Sequence, residues 1–154
     1  LPEKIRRRFD RLIEDVIPLT DFALLVFFRD GSVKKCSIWD RYKNATSFQV
    51  LFKNEEFFYA INLQPGGHGV EWDVNLNISA ATLYRTGTKV PLTVSDFQNF
   101  VVHRVVNVAE AAEILGCSRQ NIDYLTKTGK LHPIKSSGKN TLYLKSEVLK
   151  RNWQ

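Results

Sequence analysis

Apolar residues change their spacing along this chain, and the change marks out its segments. In residues 1–16 they recur every three or four positions, as on one face of a helix, at Ile5, Phe9, Leu12, Ile13 and Val16. Pro2 suits the first turn of that helix, and Pro18 is expected to end it. From residue 22 onward the apolar residues run together, which favours strands.

The runs 22–28 and 32–39 lie on either side of Asp30-Gly31. An Asp-Gly pair between two strand-like runs is a strong signal for a hairpin, so the runs are predicted to pair antiparallel. Residues 47–58 are ambiguous, with a short helical turn expected at their end. The other elements predicted in this region are strands over 58–63 and 70–73 and a turn over 64–69. Residues 76–83 are expected to close the domain, with Ser79 capping a short helical turn over 80–84.

A connecting segment follows. Residues 85–89 contain Gly87 and are interpreted as the start of a linker. Ser95 and Gln98 have the spacing of a capping box, so a connecting helix is expected over 96–103. Its apolar side would carry Phe97, Phe100 and Val101.

Two short helices are predicted close together after residue 107. The first covers residues 108–115, where Val108, Ala112 and Leu115 share one face, and the second covers residues 119–128. Their ends are marked by residues typical of helix caps: the capping-box pair Asn107 and Glu110, the N-cap Ser118, and the closing glycines Gly116 and Gly129. Two helices on so short a turn form a helix-turn-helix.

A hairpin and a last helix are predicted after this pair. Residues 131–135 and 141–144 are short extended runs around the polar turn 136–140, as in the wing of a winged helix. The last helix is expected from about Ser146 and turns Val148 and Leu149 inward.

The second helix of the pair has an apolar face and a polar face. Ile122 and Leu125 can pack on the first helix, and Asp123 places a negative charge on the other side, so a modest affinity for DNA is expected. Arginine suits guanine, glutamine and asparagine suit adenine, and lysine or tyrosine suits the phosphate backbone. The candidate DNA-binding residues are Ser118, Arg119, Gln120, Asn121, Tyr124, Lys127 and Lys130, with Lys135, Lys139 and Asn140 of the hairpin. The alternative is a helical hairpin that binds protein.

The segment resembles the winged helix-turn-helix of the MerR and excisionase families, whose members bind DNA. Their pattern is matched by Glu110-Ala111-Ala112, Leu115-Gly116, Ser118 and Gly129-Lys130-Leu131. The hairpin departs from the pattern, because it has Lys135 and Lys139 where such wings are often richer in arginine.

The distribution of charge also favours a DNA-binding surface in the C-terminal part of the chain. The whole chain carries +6, and residues 104–154 hold nine Lys or Arg against four Asp or Glu, a balance of +5 that leaves +1 for the preceding residues. A phosphate-binding surface requires such a positive field. The cations of the predicted helix 1–16 are mixed with acids, which favours a solvated face over a second phosphate contact.

The N-terminal region resembles a small bacterial domain of unknown function. The shared features are Phe28 with Asp30-Gly31, Leu51 with Phe57, Trp72, and the dipeptide Leu83-Tyr84. The resemblance implies no activity, but members are often encoded beside short genes that resemble toxin-antitoxin pairs. It therefore implies that antitoxin-like behaviour is an alternative for this protein.

Catalysis, cofactors and metal binding are not expected. Cys36 and Cys117 are interpreted as buried thiols, and no His or Cys pair has metal-ligand spacing. No acid is paired with a His or Cys as a general base would be, and the glycine-rich residues 66–69 lack the Lys-Ser/Thr ending of a P-loop. No apolar run approaches the length of a membrane span, so a cytoplasmic protein is expected.

The chain is thus predicted to be α+β, with a small β-rich N-terminal domain that begins with a helix and a C-terminal winged helix-turn-helix. The predicted boundaries are 1–86 for the first domain, 87–105 for the linker with its helix, and 106–154 for the DNA-binding domain. The expected function is sequence-specific binding of double-stranded DNA by a transcriptional regulator or a phage or mobile-element accessory factor. The alternative is an antitoxin-like module that binds a partner through the N-terminal domain and autoregulates. A homodimer through that domain is also expected as a way to gain affinity.

Overall fold

The computed structural model describes residues 2–137 and 140–152. The chain forms two compact units, Leu1–Asp96 and Phe97–Gln154, and each has its own buried apolar core. Both units combine helices with antiparallel strands, which confirms the predicted α+β class.

The first unit is built around two antiparallel sheets. Its helices and strands, in chain order, are α1 (Glu3–Asp10), β1 (Ile13–Leu19), β2 (Ala23–Phe28), β3 (Val33–Ser37), α2 (Ile38–Tyr42), α3 (Gln49–Lys53), α4 (Glu55–Tyr59), β4 (Asn62–Leu63), β5 (Gly69–Asp73), β6 (Leu76–Ser79), α5 (Ala80–Thr86) and β7 (Thr88–Val90). One sheet has the strand order β1-β2-β3-β7, and the other has the order β4-β5-β6. The predicted hairpin is confirmed, since β2 and β3 pair antiparallel on either side of Asp30-Gly31.

The N-terminal helix is shorter than predicted. It ends at Asp10, and the following residues form β1, which pairs antiparallel with β2. The spacing of Ile13 and Val16 suits a helix locally, but as a strand this segment supplies the backbone partners that the edge of β2 requires. The helix prediction for residues 11–16 was therefore wrong.

A short helix replaces most of one other predicted strand. Residues 49–59 are largely helical, so the predicted strand 58–63 is reduced to the two residues of β4. In the segment 76–83, β6 ends at Ser79, which caps α5 as expected: its hydroxyl accepts a hydrogen bond from the Thr82 amide at 3.1 Å. Within the segment interpreted as the start of a linker, β7 instead adds an edge strand beside β3.

Two sequence features of the N-terminal resemblance meet in this unit. The Tyr84 ring packs edge-on against Phe28 with centroids 4.9 Å apart, and its hydroxyl donates to Asp30 Oδ2 at 2.7 Å. Burial acts to raise the pKa of Asp30, but hydrogen bonds from Ser32 and Tyr84, with Lys34 nearby, hold it below its usual range. The turn of the first hairpin is therefore fastened to the end of α5.

The two cysteines differ in their surroundings. Cys36 is buried as predicted, and burial raises the pKa of its thiol to about 11, which leaves it protonated and unreactive at neutral pH. Cys117 is only half-buried, so the prediction of a buried thiol was wrong there. It lies in the turn that follows Gly116 and packs, partly buried, against the core of the second unit.

The second unit carries the helix-turn-helix. Its elements begin with α6 (Val94–Arg104), which starts before the division between the units, and continue with β8 (Val105–Asn107), α7 (Val108–Leu115), α8 (Arg119–Lys127), β9 (Lys135–Ser137), β10 (Asn140–Leu144) and α9 (Lys145–Arg151). The predicted connecting helix 96–103 is present in α6, but the cap expected from Ser95 and Gln98 is not the one that forms. Thr93 and Asp96 cap it instead, with the Thr93 amide donating to Asp96 Oδ2 at 2.8 Å.

Candidate nucleic-acid interface

The first helix of the pair, α7, is held at both ends by its own sequence. Asn107 Oδ1 accepts from the Glu110 amide at 2.8 Å, and Glu110 Oε1 accepts from the Asn107 amide at 3.2 Å, which confirms the predicted capping box. Gly116 ends the helix in the left-handed conformation at φ 63°, where a glycine is strongly favoured. The helix is therefore fixed in length, and the next one starts at a defined point.

The second helix, α8, presents a polar face while its apolar face is buried. The hydroxyl of Ser118 caps it by accepting from the Asn121 amide at 3.1 Å. Ile122 and Leu125 are buried in the core of the unit together with Ala111 and Ala112 of α7. The predicted site residues on its other side are all exposed: Arg119, Gln120, Asn121, Tyr124 and Lys127. This is the geometry of a recognition helix that enters a DNA groove.

The chain leaves α8 by a glycine turn that separates a buried from an exposed residue. Gly129 has φ 73°, and the amides of Lys130 and Leu131 both bond to the Leu125 carbonyl, at 2.8 and 3.1 Å. Leu131 is thereby held in the core, whereas Lys130 stays exposed beside the recognition helix. The prediction of a strand over 131–135 is wrong for its first residues, since β9 begins only at Lys135. The glycine turn holds Leu131 in the core, and the His132 amide donates to Glu147 of α9 and not to a neighbouring strand.

The wing is a hairpin with a third strand behind it. β9 and β10 pair antiparallel, with Asn140 opposite Ser137 and Leu142 opposite Lys135, which confirms the predicted hairpin. β8 pairs with the other edge of β10, giving the strand order β8-β10-β9. Lys135 and Asn140 are exposed on this wing, whereas Lys139 lies outside the residues that the structure describes.

Two hydrogen-bonded contacts hold the wing and the segment after α8 in place. The sequence did not reveal either of them. The Tyr143 hydroxyl lies 2.7 Å from Thr126 Oγ1, so a wing strand is bonded directly to the recognition helix. Glu147 Oε1 of α9 accepts from the His132 amide at 3.0 Å and lies 2.9 Å from its Nδ1. Neither pair has a local spacing that could have indicated it, since the partners are 17 and 15 residues apart.

The acidic residue of the recognition helix neutralises one of its cations. Asp123 Oδ2 lies 2.9 Å from Lys127 Nζ, and both side chains are well exposed. The hydrogen bond to Asp123 raises the pKa of Lys127, so the lysine stays charged but is already paired. Among the described candidate cations of α8 and the wing, Arg119, Lys130 and Lys135 have no such carboxylate partner.

Asp123→Asn is therefore expected to tighten binding to duplex DNA, because it removes a repulsive charge and releases Lys127 toward a phosphate. One additional phosphate contact should steepen the slope of log affinity against log salt concentration by about 0.9. Fluorescence anisotropy over a salt series measures this slope. Glu14→Gln on β1 of the first unit makes the same change in net charge at an exposed residue that is not among the candidate DNA contacts, and it should leave the slope unchanged. An unchanged slope in Asp123→Asn would contradict the assignment of Lys127.

The described residues contain neither a group of metal ligands nor a helix that could span a membrane. Within residues 2–137 and 140–152, no group of three or more His, Cys, Asp or Glu side chains is arranged to hold a metal ion. None of the helices in the described part of the chain is long and apolar enough to cross a membrane.

The first unit has a groove along α1 with a volume of about 1290 Å³. Its lining is partly apolar, with Ile5 and Phe9 each about half exposed. Its cations are Lys4, Arg7, Arg8, Arg11 and Arg29. The Arg29 guanidinium lies 4.7 Å from the centre of the Phe9 ring and donates to the Gly66 carbonyl at 3.3 Å, which holds one wall in place. We call this region the α1 groove.

A capped helix pair, an exposed polar face on its second helix and a wing bonded to that helix define a winged helix-turn-helix of the DNA-binding class. Residues 105–151 match the family described as a helix-turn-helix domain. Residues 13–89, half of the chain, match the family described as a protein of unknown function (DUF2442), and the chain belongs to that family. Searches among curated proteins and among solved structures found no match to the chain.

Proposed function

We propose that this protein binds double-stranded DNA at specific sequences and acts as a transcriptional regulator or as an accessory factor of a phage or mobile element, like the MerR and excisionase proteins. The observation that carries the proposal is the exposed face of α8. Arg119, Gln120 and Asn121 are exposed on this face, while the opposite face of the same helix is buried in the core. These are the side chains that pair with guanine and adenine edges in the major groove. Their position in the first turn matches the end of a recognition helix that contacts bases.

The remaining candidate residues are placed to contact the backbone. Tyr124 and Lys127 follow on the same helix, and Lys130 comes just after it. Lys135 and Asn140 lie on opposite strands of the wing, whose bond from Tyr143 to Thr126 keeps it beside α8. In this arrangement the helix reads bases while the wing and the flanking lysines contact phosphates on either side of the groove.

The experiment for this proposal is selection of bound fragments from sheared genomic DNA with the purified full-length protein, followed by footprinting on the enriched fragments. The expected result is a small set of fragments with a shared sequence and a protected stretch over it. Enrichment of no sequence over the input, with uniform weak protection, would contradict sequence-specific binding.

An antitoxin-like role is a second candidate, and the α1 groove is the observation that favours it. Glu3 also lines the groove and is paired with Arg7 at 2.7 Å, which leaves four other cations around the apolar lining. This combination is complementary to an acidic segment that also carries apolar side chains. Duplex DNA would satisfy the cations but would leave Ile5 and Phe9 uncovered. We propose for this candidate that the groove binds such a segment of a partner protein, while the helix-turn-helix regulates the shared promoter.

Phe9→Glu tests this second candidate, because it places a negative charge where an acidic apolar segment would lie. Copurification of the tagged full chain from its own host should yield a partner in near-equal amount, and Phe9→Glu should reduce its yield at least tenfold. Val74→Glu adds the same charge to a turn outside the groove and should retain the partner. Hydrogen exchange should show protection of α1 in the complex. A partner that survives Phe9→Glu, or none at all, would contradict the role of the groove.

A further inference from the structure

Helix α6 is an exposed helix with apolar side chains on its surface. None of its 11 residues, all of them in the described part of the chain, is buried. Phe100, Val101 and Val102 are 52%, 56% and 72% exposed. A helix of this length has little stability of its own, so an apolar surface of this kind indicates that another element covers it.

Four residues of α6 form a stripe along one face. Phe97, Phe100, Val101 and Arg104 follow the spacing i, i+3, i+4 and i+7, which brings them to the same side of a helix. Phe97 is half-buried, whereas Phe100 and Val101, the other two apolar residues of this face, are exposed. We call these residues the α6 stripe. Val102 lies about 100° or more from each of them around the helix.

The charges at the ends of α6 distinguish between possible partners. The first turn carries Asp96 and the last turn carries His103 and Arg104. Two copies of the helix packed antiparallel place each acidic first turn beside the basic last turn of the other copy. Parallel packing would bring like charges together. Antiparallel packing also aligns the opposite ends of the two helix dipoles.

We propose that α6 is a dimerisation helix, in which the α6 stripes of two copies of this chain pack antiparallel about a two-fold axis near Phe100. A symmetric contact of this kind uses the same surface in both copies and closes on itself. The dimer does not depend on DNA, and its consequence for DNA is that two recognition helices are presented together. Joining two modules raises the affinity for two half-sites without any new contact to the bases.

The size of the stripe sets the strength of the contact. A helix of 11 residues is about 16 Å long, so two of them bury less surface than a stable dimer interface of about 1,200 Å² or more. The dimer is therefore expected to dissociate on dilution, with a dissociation constant on the order of 10–100 µM. Sedimentation velocity of the full chain, without DNA, detects such an equilibrium.

Phe100→Glu and Val102→Glu form a matched pair for this test, since both add one negative charge to the same exposed helix. The wild-type protein should shift from monomer to dimer with increasing concentration, and Phe100→Glu should weaken the association at least tenfold. Val102→Glu should behave like the wild type, because it lies off the stripe. A wild type that stays monomeric at 500 µM (about five times the upper end of that range), or equal weakening by both substitutions, would overturn the proposal. Because no DNA is present, this outcome is separate from any failure to bind DNA.

Discussion

Arg119→Ala is expected to remove most of the preference of the protein for its DNA site while leaving its binding to unrelated duplexes nearly intact. Arg119 lies in the first turn of α8, is exposed, and has no carboxylate partner among the described ion pairs. An arginine that contacts a guanine with two hydrogen bonds discriminates by about 1–3 kcal/mol, which corresponds to roughly 5- to 150-fold in affinity. Competition between specific and unrelated duplexes, measured by fluorescence anisotropy, gives this ratio.

Lys150→Ala is the control for that measurement. It removes one positive charge from the same unit, but from α9, on an exposed side chain that is not among the candidate DNA contacts. It should lower the affinity for both duplexes slightly and leave their ratio unchanged. If Arg119→Ala likewise changes both affinities by the same factor, Arg119 contacts only the backbone and the assignment of base contacts to this residue is wrong.

Gly67→Ala is expected to destabilise the first unit by at least about 3 kcal/mol. Gly67 has φ 75°, and a Cβ atom added there would lie 2.1 Å from the carbonyl oxygen of Ile13. The positive φ alone costs about 1–2 kcal/mol for an alanine, and the overlap with backbone forces β1 and this turn apart. For a unit of this size the melting temperature should fall by about 12 °C or more. Differential scanning calorimetry measures the transition.

Gly31→Ala separates the two contributions to that loss. Gly31 has φ 87°, so an alanine is strained there too, but nothing lies within 4 Å of the added Cβ. Only the cost of the backbone conformation should appear, about 1–2 kcal/mol. Equal melting temperatures for the two variants would show that the close approach of Gly67 to Ile13 does not hold in solution.

The helix-turn-helix could be predicted from the sequence because its boundaries depend on local chemistry. Asn107 and Glu110 cap α7 within one turn, Ser118 caps α8 within one turn, and Gly116 provides the conformation between them. The polar face of α8 follows from its period alone. Such interactions join residues at most four apart, so a single sequence displays them.

The parts that escaped prediction depend on residues distant in the chain. Whether Ile13 and Val16 belong to a helix or a strand is decided by the open edge of β2, which the local spacing does not show. β8 is a strand because β10 lies beside it. The α1 groove was missed for the same reason, since Phe9 and Arg29 come together only after the first sheet has formed.

The N-terminal motifs illustrate both cases. Asp30-Gly31 indicated the hairpin correctly, because a tight turn is a local structure. That Tyr84 closes over the same turn was not predictable, as 54 residues separate its hydroxyl from Asp30. The capping residues of α6 were also misplaced by two positions, since Thr93 with Asp96 and Ser95 with Gln98 have the same spacing.

Binding of duplex DNA by α8 and its wing is tested most directly by a salt series on a single duplex. The wild-type protein and the Lys130→Ala/Lys135→Ala double variant are titrated by fluorescence anisotropy at several salt concentrations. The wild type should bind with a steep salt dependence. The double variant should flatten the slope by about 1.8, because each of the two lysines accounts for about 0.9 through its phosphate. No binding by the wild type at low salt, or equal slopes for the two proteins, would contradict the claim.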